Sequence, residues 1–123
     1  MLLVVNGTLM RGLALNHNLT HAGATFVCAS RTAPVYQLWS INDGYPGMLR
    51  VSQGGSAIEV ELWDMGPAEI IGILCQEPPG LSIGWILIED GTREVGVLAE
   101  PYLLEGMSDI THHSGWRAYL QSR

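Results

Sequence analysis

The sequence predicts an α+β domain, a small closed or nearly closed mixed β-barrel of about seven short strands with two to three flanking helices. Two observations support this fold class. Apolar runs of only a few residues are separated by turns rich in Gly, Pro, Asn and Asp, which is typical of small barrels. Helical spacing of apolar residues is confined to three short segments. With 123 residues, the chain is expected to form one domain, residues 1–123, with its own core.

The first half of the chain predicts one strand, one short helix and three more strands. The opening strand covers residues 2–5, and the helix covers residues 13–21, in which leucines recur at helical spacing. Gly23 ends this helix. Further strands are expected at residues 25–30, 35–41 and 48–51, and the turn signals of residues 42–47 connect the last two.

The clearest strand is residues 57–64, because polar and apolar side chains alternate along it. One face carries Ile58, Val60 and Leu62, and the other carries Glu59, Glu61 and Trp63. Glutamates on the polar face of a strand are usually solvated. If the sheet closes, however, the same face could line the barrel interior, so the pattern leaves the position of these glutamates open.

Two helices and a hairpin complete the predicted fold. Pro67 suits the first turn of a helix, an apolar stripe follows it, and the helix ends before a Pro-Pro-Gly segment. Strands at residues 82–88 and 93–99 form a hairpin across the Asp90-Gly91 turn. The last helix is expected at about residues 114–121.

Composition restricts the possible partners. The chain carries a formal net charge of -6, with six arginines and no lysine, so it lacks the basic cluster of a nucleic-acid-binding protein. Charged residues make up 15% of the chain, below the roughly 25% of typical soluble domains. This low charge indicates a partner, a homodimer or burial in a larger assembly, or else simply a small Gly- and Ala-rich domain, and the two interpretations have equal weight.

No apolar stretch approaches the roughly 18 residues of a membrane span, and the N-terminus lacks the features of a cleaved signal. We therefore expect a cytoplasmic protein that does not engage a membrane. Two cysteines, Cys28 and Cys75, do not make a disulfide framework and are expected to be reduced.

Several common catalytic and cofactor motifs do not occur in the sequence. It has no nucleophile elbow, no phosphate loop, no zinc-protease motif and no dinucleotide fingerprint, so no cofactor is expected. His17 and His21 have metal-ligand spacing, but a third ligand is missing nearby, and a solvated helix face is the preferred interpretation. His112 and His113 are interpreted as part of a capping segment, with catalysis as the minor alternative. No metal site is predicted.

The first candidate site is the loop that follows the opening strand. It reads Asn6-Gly7-Thr8-Leu9, and a strand that opens into a glycine-bearing loop presents backbone N–H groups to a ligand. Arg11 follows shortly after and offers a countercharge for an anionic substrate.

Glu77 is the candidate catalytic carboxylate. It lies between an apolar helix and Pro78, so its backbone direction is restricted. A single carboxylate beside a pocket can take a proton from an amine and return it to a leaving group. The alternative is an acidic residue at a helix end that has no chemical role.

The order of these motifs resembles the gamma-glutamylcyclotransferase-like fold. The matching positions are the Asn6-Gly7-Thr8-Leu9 loop, the Gly44-Tyr45-Pro46-Gly47 turn, the Val60-Glu61-Leu62-Trp63 strand and Glu77. That family places its catalytic glutamate at the position of Glu77. The resemblance therefore implies a small-molecule enzyme of the transferase or lyase type, in which Glu77 is the general acid and base.

A second resemblance covers nearly the whole chain, and it is to the C-terminal domain of allophanate hydrolases. It rests on many short segments in the same order, among them residues 6–12, 23–27, 32–36, 58–61, 81–84 and 115–119. In those enzymes the domain follows an amidase domain and is implicated in decarboxylating the amidase product. This chain contains no amidase region, so the resemblance implies a freestanding relative.

Two departures from the family pattern concern the chemistry. Members associated with decarboxylation carry a histidine in the first loop, where this chain has Leu9. The fused domains also have an apolar residue at the position of Glu77. The glutamate moves this chain towards the cyclotransferase type.

The predicted site combines Glu77 as the catalytic residue with a set of substrate-binding residues: Asn6, Gly7, Thr8, Leu9, Arg11, Tyr36 and Tyr45. Its loop amides would hold a carboxylate or a developing oxyanion of a small anionic amide or amine-bearing substrate. Two alternatives stay open: decarboxylation in allophanate or urea-carbamate metabolism, and a non-catalytic binding or assembly module. All catalytic versions require Glu77 to face the loop across a pocket.

Overall fold

A computed structural model describes all residues from Met1 to Arg123 and contains eight strands, three α-helices and two short 3-10 helices. The strands are β1 (Leu2–Val5), β2 (Thr25–Arg31), β3 (Tyr36–Ile41), β4 (Tyr45–Arg50), β5 (Glu59–Asp64), β6 (Leu81–Leu87), β7 (Arg93–Ala99) and β8 (Ser108–Asp109). The helices are α1 (Asn16–His21), α2 (Pro67–Gln76) and α3 (Trp116–Gln121), with 3-10 turns at Pro101–Leu104 and Thr111–His113. The predicted α+β class is confirmed.

The strands form two sheets. Five of them pair in the order β2-β5-β1-β7-β6, and the other three pair in the order β4-β3-β8. The β1 and β7 pair is parallel, whereas every other named pair is antiparallel. β1 therefore lies at the centre of the larger sheet, and the loop that follows it emerges from the middle of the sheet.

The predicted closed barrel is not found. The edge strands β2 and β6 meet only beyond their carboxyl ends, at a single bridge between Thr32 and Ile88. The bridge cannot extend in one direction because Pro34 has no N–H group to donate. It cannot extend in the other because the chain reverses at the Asp90-Gly91 turn, where Gly91 donates its N–H to the Ile88 carbonyl (2.9 Å). The five-stranded sheet therefore stays open.

The first helix is shorter than predicted. α1 begins at Asn16 rather than at residue 13. The N–H of Leu15 donates to the carbonyl of Thr8 (2.9 Å), in the loop after β1, instead of to a carbonyl within a helix. The segment just before α1 therefore packs against the loop after β1 and holds it.

The β3–β4 turn is tighter than predicted. Asn42 and Asp43 have positive φ angles of 52° and 60°, as the two central residues of a type I′ hairpin turn require. β4 consequently begins at Tyr45 rather than at Met48, and it includes Pro46, which an edge strand tolerates. This shift fixes Tyr45 and Pro46 on a regular strand.

The main hydrophobic core contains 20 buried residues from both sheets and all three helices. α2 contributes Ile70 and Ile73, and α3 contributes Trp116. β5 is covered on both faces, because Glu61 is only 1% exposed although it lies on the predicted polar face. Glu61 is therefore buried, and polar as well as apolar groups surround it. This settles the position that the alternation pattern left open. None of the helices combines the length and apolar character that a membrane crossing requires.

Candidate functional site

A pocket lies where the loop after β1 meets the ends of β4, β6 and α2. Its walls are the loop itself, the start of β4 and the residue that ends α2, and they are formed by Val5, Asn6, Gly7, Thr8, Leu9, Tyr45, Pro46, Glu77, Leu81 and Val97. It encloses about 290 Å³ of empty space, part of which is open to solvent. The enclosed part of this space is narrow, so it admits only a group of a few atoms.

The loop presents unpaired backbone N–H groups. No protein acceptor receives a hydrogen bond from the backbone N–H of Gly7, Thr8 or Leu9. The carbonyl of Gly7 accepts from Met10 (3.0 Å) and that of Thr8 accepts from Leu15 (2.9 Å). Because the C=O and N–H of a trans peptide point in opposite directions, these bonds turn the N–H groups of Thr8 and Leu9 away from the following segment. Consecutive free N–H groups form a partial positive charge that suits an anion.

Two contacts hold this loop against the sheets. The buried Asn6 side chain donates to the carbonyl of Val97 on β7 (3.0 Å). Gly7 lies against Pro46 of β4, so closely that a Cβ atom at residue 7 would be 2.5 Å from Pro46 Cδ. Asn6 is thus fixed by the sheet through its side chain, and Gly7 is required by a close approach rather than by an unusual φ angle.

We expect Gly7→Ala to lower the free energy of unfolding by about 1–3 kcal/mol, because the added methyl group forces Pro46 and the loop apart. Chemical denaturation of the purified variant measures this change. Gly72→Ala is the matched control. Gly72 lies in α2 with open space around it, and alanine there is expected to stabilise the helix by up to about 1 kcal/mol. Equal stability of Gly7→Ala and the native protein would show that Pro46 can move aside.

Glu77 faces the loop across the pocket. It ends α2 in an extended conformation, with φ -76° and ψ 152°, as expected for a residue before proline. Its side chain is half-buried, is the only carboxylate lining the pocket and makes no hydrogen bond within the protein. Burial raises the pKa of the Glu77 carboxyl above its ordinary value. This group is therefore easier to protonate than a surface glutamate and can act as an acid as well as a base.

The raised pKa of Glu77 gives a stability prediction. A group whose pKa is higher in the folded protein stabilises it below its unfolded pKa, and this contribution is lost as pH rises through the folded value. We therefore expect Glu77→Gln to melt at a higher temperature than the native protein at neutral pH. The difference should vanish below the ordinary glutamate pKa of about 4.3. Identical melting curves across this pH range would show that Glu77 is not desolvated.

Tyr45 forms the wall next to Glu77. Burial raises the pKa of the Tyr45 hydroxyl, and the neighbouring Glu77 and Tyr102 raise it further. Tyr45 therefore stays protonated at neutral pH and can donate a hydrogen bond to a ligand. Tyr102 lies in the exposed 3-10 turn after β7.

Two predicted substrate-binding residues do not reach the pocket, which corrects their predicted positions. Tyr36 is completely buried in the main core, and its hydroxyl accepts the N–H of Leu87 (2.9 Å). Arg11 points to the other side of the loop, where its guanidinium stacks 3.7 Å from the ring centroid of Phe26 and bonds to Glu61. The pocket therefore has no cationic side chain, and only neutral donors, the backbone N–H groups of the loop and the Tyr45 hydroxyl, could hold an anion.

Glu61 is the anchor that the sequence did not identify. Its carboxylate accepts the backbone N–H of Arg11 (2.9 Å), the Arg11 Nε–H (3.2 Å) and the Trp63 indole N–H (3.2 Å), and a further contact comes from Arg117 (3.4 Å). Burial alone would raise the pKa of Glu61, but the hydrogen bonds from Arg11 and Trp63 outweigh burial and hold it below the usual range. A charged Glu61 thus fixes the end of the loop at Arg11.

The histidines lie apart from this pocket. The rings of His17 and His21 are 5.7 Å apart on α1, and His21 borders a shallow hollow between α1 and α2. No group of three or more potential metal ligands converges anywhere in the structure. His113 instead packs on the ring of Tyr119, with centroids 5.2 Å apart.

Comparison with known proteins matches the chain to one domain family and to a small part of much longer proteins. Residues 1–121 match the family model of the allophanate hydrolase C-terminal domain. Urea amidolyase of Saccharomyces cerevisiae is 33% identical over 127 aligned positions, covering 97% of this chain, and that of Lachancea kluyveri is 29% identical over 96% of it. The chain spans only about 7% of the length of these curated relatives.

Solved structures share the same fold. The uropathogenic E. coli-specific protein c4763 is 50% identical, with a TM-score of 0.96 over 99% of this chain and 96% of that chain. Allophanate hydrolase of Kluyveromyces lactis is 26% identical, with a TM-score of 0.91 over 98% of this chain and 21% of that chain. The architecture described above is therefore that of the C-terminal domain in a much longer protein and also of a protein of similar length.

Proposed function

Because this chain belongs to the allophanate hydrolase C-terminal domain family, we propose that it catalyses proton transfer on a small carbamate of urea metabolism. One observation carries the proposal. The half-buried Glu77 faces the free N–H groups of Gly7, Thr8 and Leu9 across one pocket. A proton donor and an oxyanion-binding loop on opposite walls are the two elements that cleavage of a carbamate needs.

The electrostatics favour Glu77 as the acid in this reaction. An anion held by the loop would lie against the Glu77 carboxyl, and a nearby negative charge raises the pKa of a carboxyl further. Burial already raises the pKa of Glu77 in the free protein. Substrate binding therefore increases the protonated fraction, and a protonated carboxyl can donate to the nitrogen of the substrate.

The proposed step breaks one C–N bond. In a carbamate R–NH–COO⁻, Glu77 gives its proton to the nitrogen while the bond between nitrogen and the carboxylate carbon breaks, and the products are R–NH2 and CO2. In R, a carbonyl or carboxylate group is attached to the nitrogen. The electron pair left on the nitrogen spreads onto an oxygen of this group, and the loop N–H groups hold that oxygen. Glu77 then recovers a proton from water. Glu77 is the only carboxyl in the pocket that can supply this proton. Leu9, which stands where some family members have a histidine, packs into the core and has no proton to give.

A second candidate is a cyclotransferase-type reaction, and the same carboxyl favours it. In this reaction an amine of the substrate attacks its own amide carbonyl, a C–N bond forms, and the loop holds the oxyanion. Glu77 takes the proton from the attacking amine and returns it to the leaving amine, whose C–N bond breaks. Glu77 lies where the gamma-glutamylcyclotransferase-like resemblance requires its catalytic glutamate.

Parallel assays of the purified protein distinguish the candidates. An amidase domain that lacks its C-terminal domain is used to supply the product of the amidase step on allophanate. Addition of this chain should accelerate the release of CO2 from that product. Gamma-glutamyl amines, tested separately, should be cyclised only if the second candidate is correct. No acceleration in either assay would leave the chain as a binding or assembly module without chemistry.

A further inference from the structure

We infer that α3 is a clamp on two segments that line the pocket, in which Arg117 positions the anion-binding loop and Tyr119 positions the β3–β4 hairpin. The inference rests on the proposed function only for its consequence in catalysis. Neither residue lines the pocket, so both are positioning residues.

Arg117 connects α3 to the end of the loop. Its Nη2 donates to the carbonyl of Arg11 (2.8 Å), and the same atom lies 3.4 Å from Glu61 Oε2. Its Nη1 donates to Glu59 Oε2 (3.0 Å). The guanidinium thus fixes the carbonyl of Arg11, while Glu61 fixes the N–H of the same residue (2.9 Å).

Holding both backbone groups of Arg11 defines the path of the loop. The loop is anchored at its start by Asn6 on β7 and at its end by Arg11 on Glu61 and Arg117. The residues between these anchors carry the free N–H groups. A shift of Arg117 would therefore change the direction of those N–H groups.

Tyr119 connects the same helix to the β3–β4 turn. Its hydroxyl donates to Asp43 Oδ1 (2.6 Å), and Asp43 also accepts from Ser40 Oγ (2.8 Å). Asp43 is the second central residue of the turn, two positions before Tyr45. The guanidinium of Arg123 lies 3.5 Å from the same carboxylate. The hairpin end that carries Tyr45 and Pro46 is therefore tied to α3.

The helix that makes both contacts is itself fixed. Trp116, at its start, is 1% exposed and belongs to the main core. Tyr119 lies 5.5 Å from Trp116 between ring centroids, and 5.2 Å from His113. Through this anchor, one turn of helix ties the end of the loop and the β3–β4 turn to the same part of the core.

The test compares three variants by amide NMR, with acetate as the probe of the loop. Arg117→Gln should shift the Thr8 and Leu9 amide resonances of the free protein and weaken acetate binding by about tenfold, since small misplacements of binding groups have large effects. Tyr119→Phe should shift the Tyr45 amide instead. Gln121→Ala removes an exposed side chain of the same helix that makes no hydrogen bond, and it should leave acetate affinity unchanged.

Arg117→Lys provides a second variant if Arg117→Gln does not fold. It keeps the positive charge but loses the planar fork, and it should recover part of the acetate affinity. Unmoved Thr8 and Leu9 resonances in the Arg117 variants, or an equal loss of affinity in Gln121→Ala, would overturn the clamp. Failure of the native protein to bind acetate would count against the proposed function instead, and the resonance shifts would still decide the clamp.

Discussion

Glu77→Gln is expected to lower the turnover number on the preferred substrate by about 10²- to 10⁴-fold, the usual contribution of a general acid or base. Glutamine has nearly the same shape as glutamate but cannot release or accept the proton. The loop N–H groups stay in place, so KM should change little. Steady-state kinetics of both proteins, at matched concentrations and with CO2 or lactam as the product, measure the effect.

Glu105→Gln is the matched control for this substitution. Glu105 is exposed, lies outside the pocket and makes no side-chain hydrogen bond. It should keep the native turnover number, whereas Glu77→Gln loses it. A Glu77→Gln protein with native turnover would reject Glu77 as the proton carrier, and a melting curve of the variant recorded in parallel shows whether a loss comes from unfolding.

Glu61→Ala is expected to lower the free energy of unfolding by about 3 kcal/mol, the size typical of breaking a buried ion pair by removing one partner. The reason is its environment. Glu61 is 1% exposed, and its loss leaves the Trp63 indole and the Arg11 N–H without their acceptor. Denaturant titration with two independent probes of unfolding gives the value and tests whether the transition is two-state.

Glu59→Ala is the matched control, because Glu59 lies two residues away on the same strand and also pairs with Arg117. Its side chain is 32% exposed, so the loss should be no more than about 1 kcal/mol. The pH dependence adds a second criterion. The pKa of Glu61 is lowered in the folded protein, so its contribution is present above the ordinary glutamate pKa and is lost as pH falls through the folded value. Equal losses in the two variants would contradict the anchoring role of Glu61.

Local sequence signals predicted the two walls of the site. The strand that opens into Asn6-Gly7-Thr8-Leu9 and the carboxylate between a helix and Pro78 are features of a few adjacent residues, and each lies where the pattern places it. Their juxtaposition in one pocket also agrees with the expectation that Glu77 faces the loop. Tyr45 joins them because the tight β3–β4 turn brings it onto β4.

Contacts between distant segments could not be predicted in this way. Arg11 was expected to face an anion, but Glu61, 50 residues away in sequence, takes both its backbone N–H and its guanidinium. Tyr36 was expected in the pocket, but its position on β3 faces the core. The barrel stayed open because Pro34 and one turn stop the pairing of β2 with β6. Each outcome depends on which long-range partner is available, and periodicity carries no information on that.

The pattern of Glu59 and Glu61 shows the same limit on a single strand. Alternation places both glutamates on one face, yet one is buried and the other is a third exposed. The difference lies in the partners. Arg11 and Trp63 surround Glu61, whereas Glu59 reaches only Arg117 at the edge of α3. Such an arrangement makes a buried carboxylate tolerable, because each of its two oxygens accepts hydrogen bonds.

The most direct test of the central claim, that the loop and Glu77 form one site, is the pKa of Glu77 measured by carbon NMR with and without saturating acetate. If acetate binds at the N–H groups of Thr8 and Leu9, its charge lies beside the Glu77 carboxyl. The pKa of Glu77 should then rise, and acetate should bind more weakly as the pH increases through that value. A Glu77 pKa that is unchanged when acetate has saturated the loop would contradict the claim.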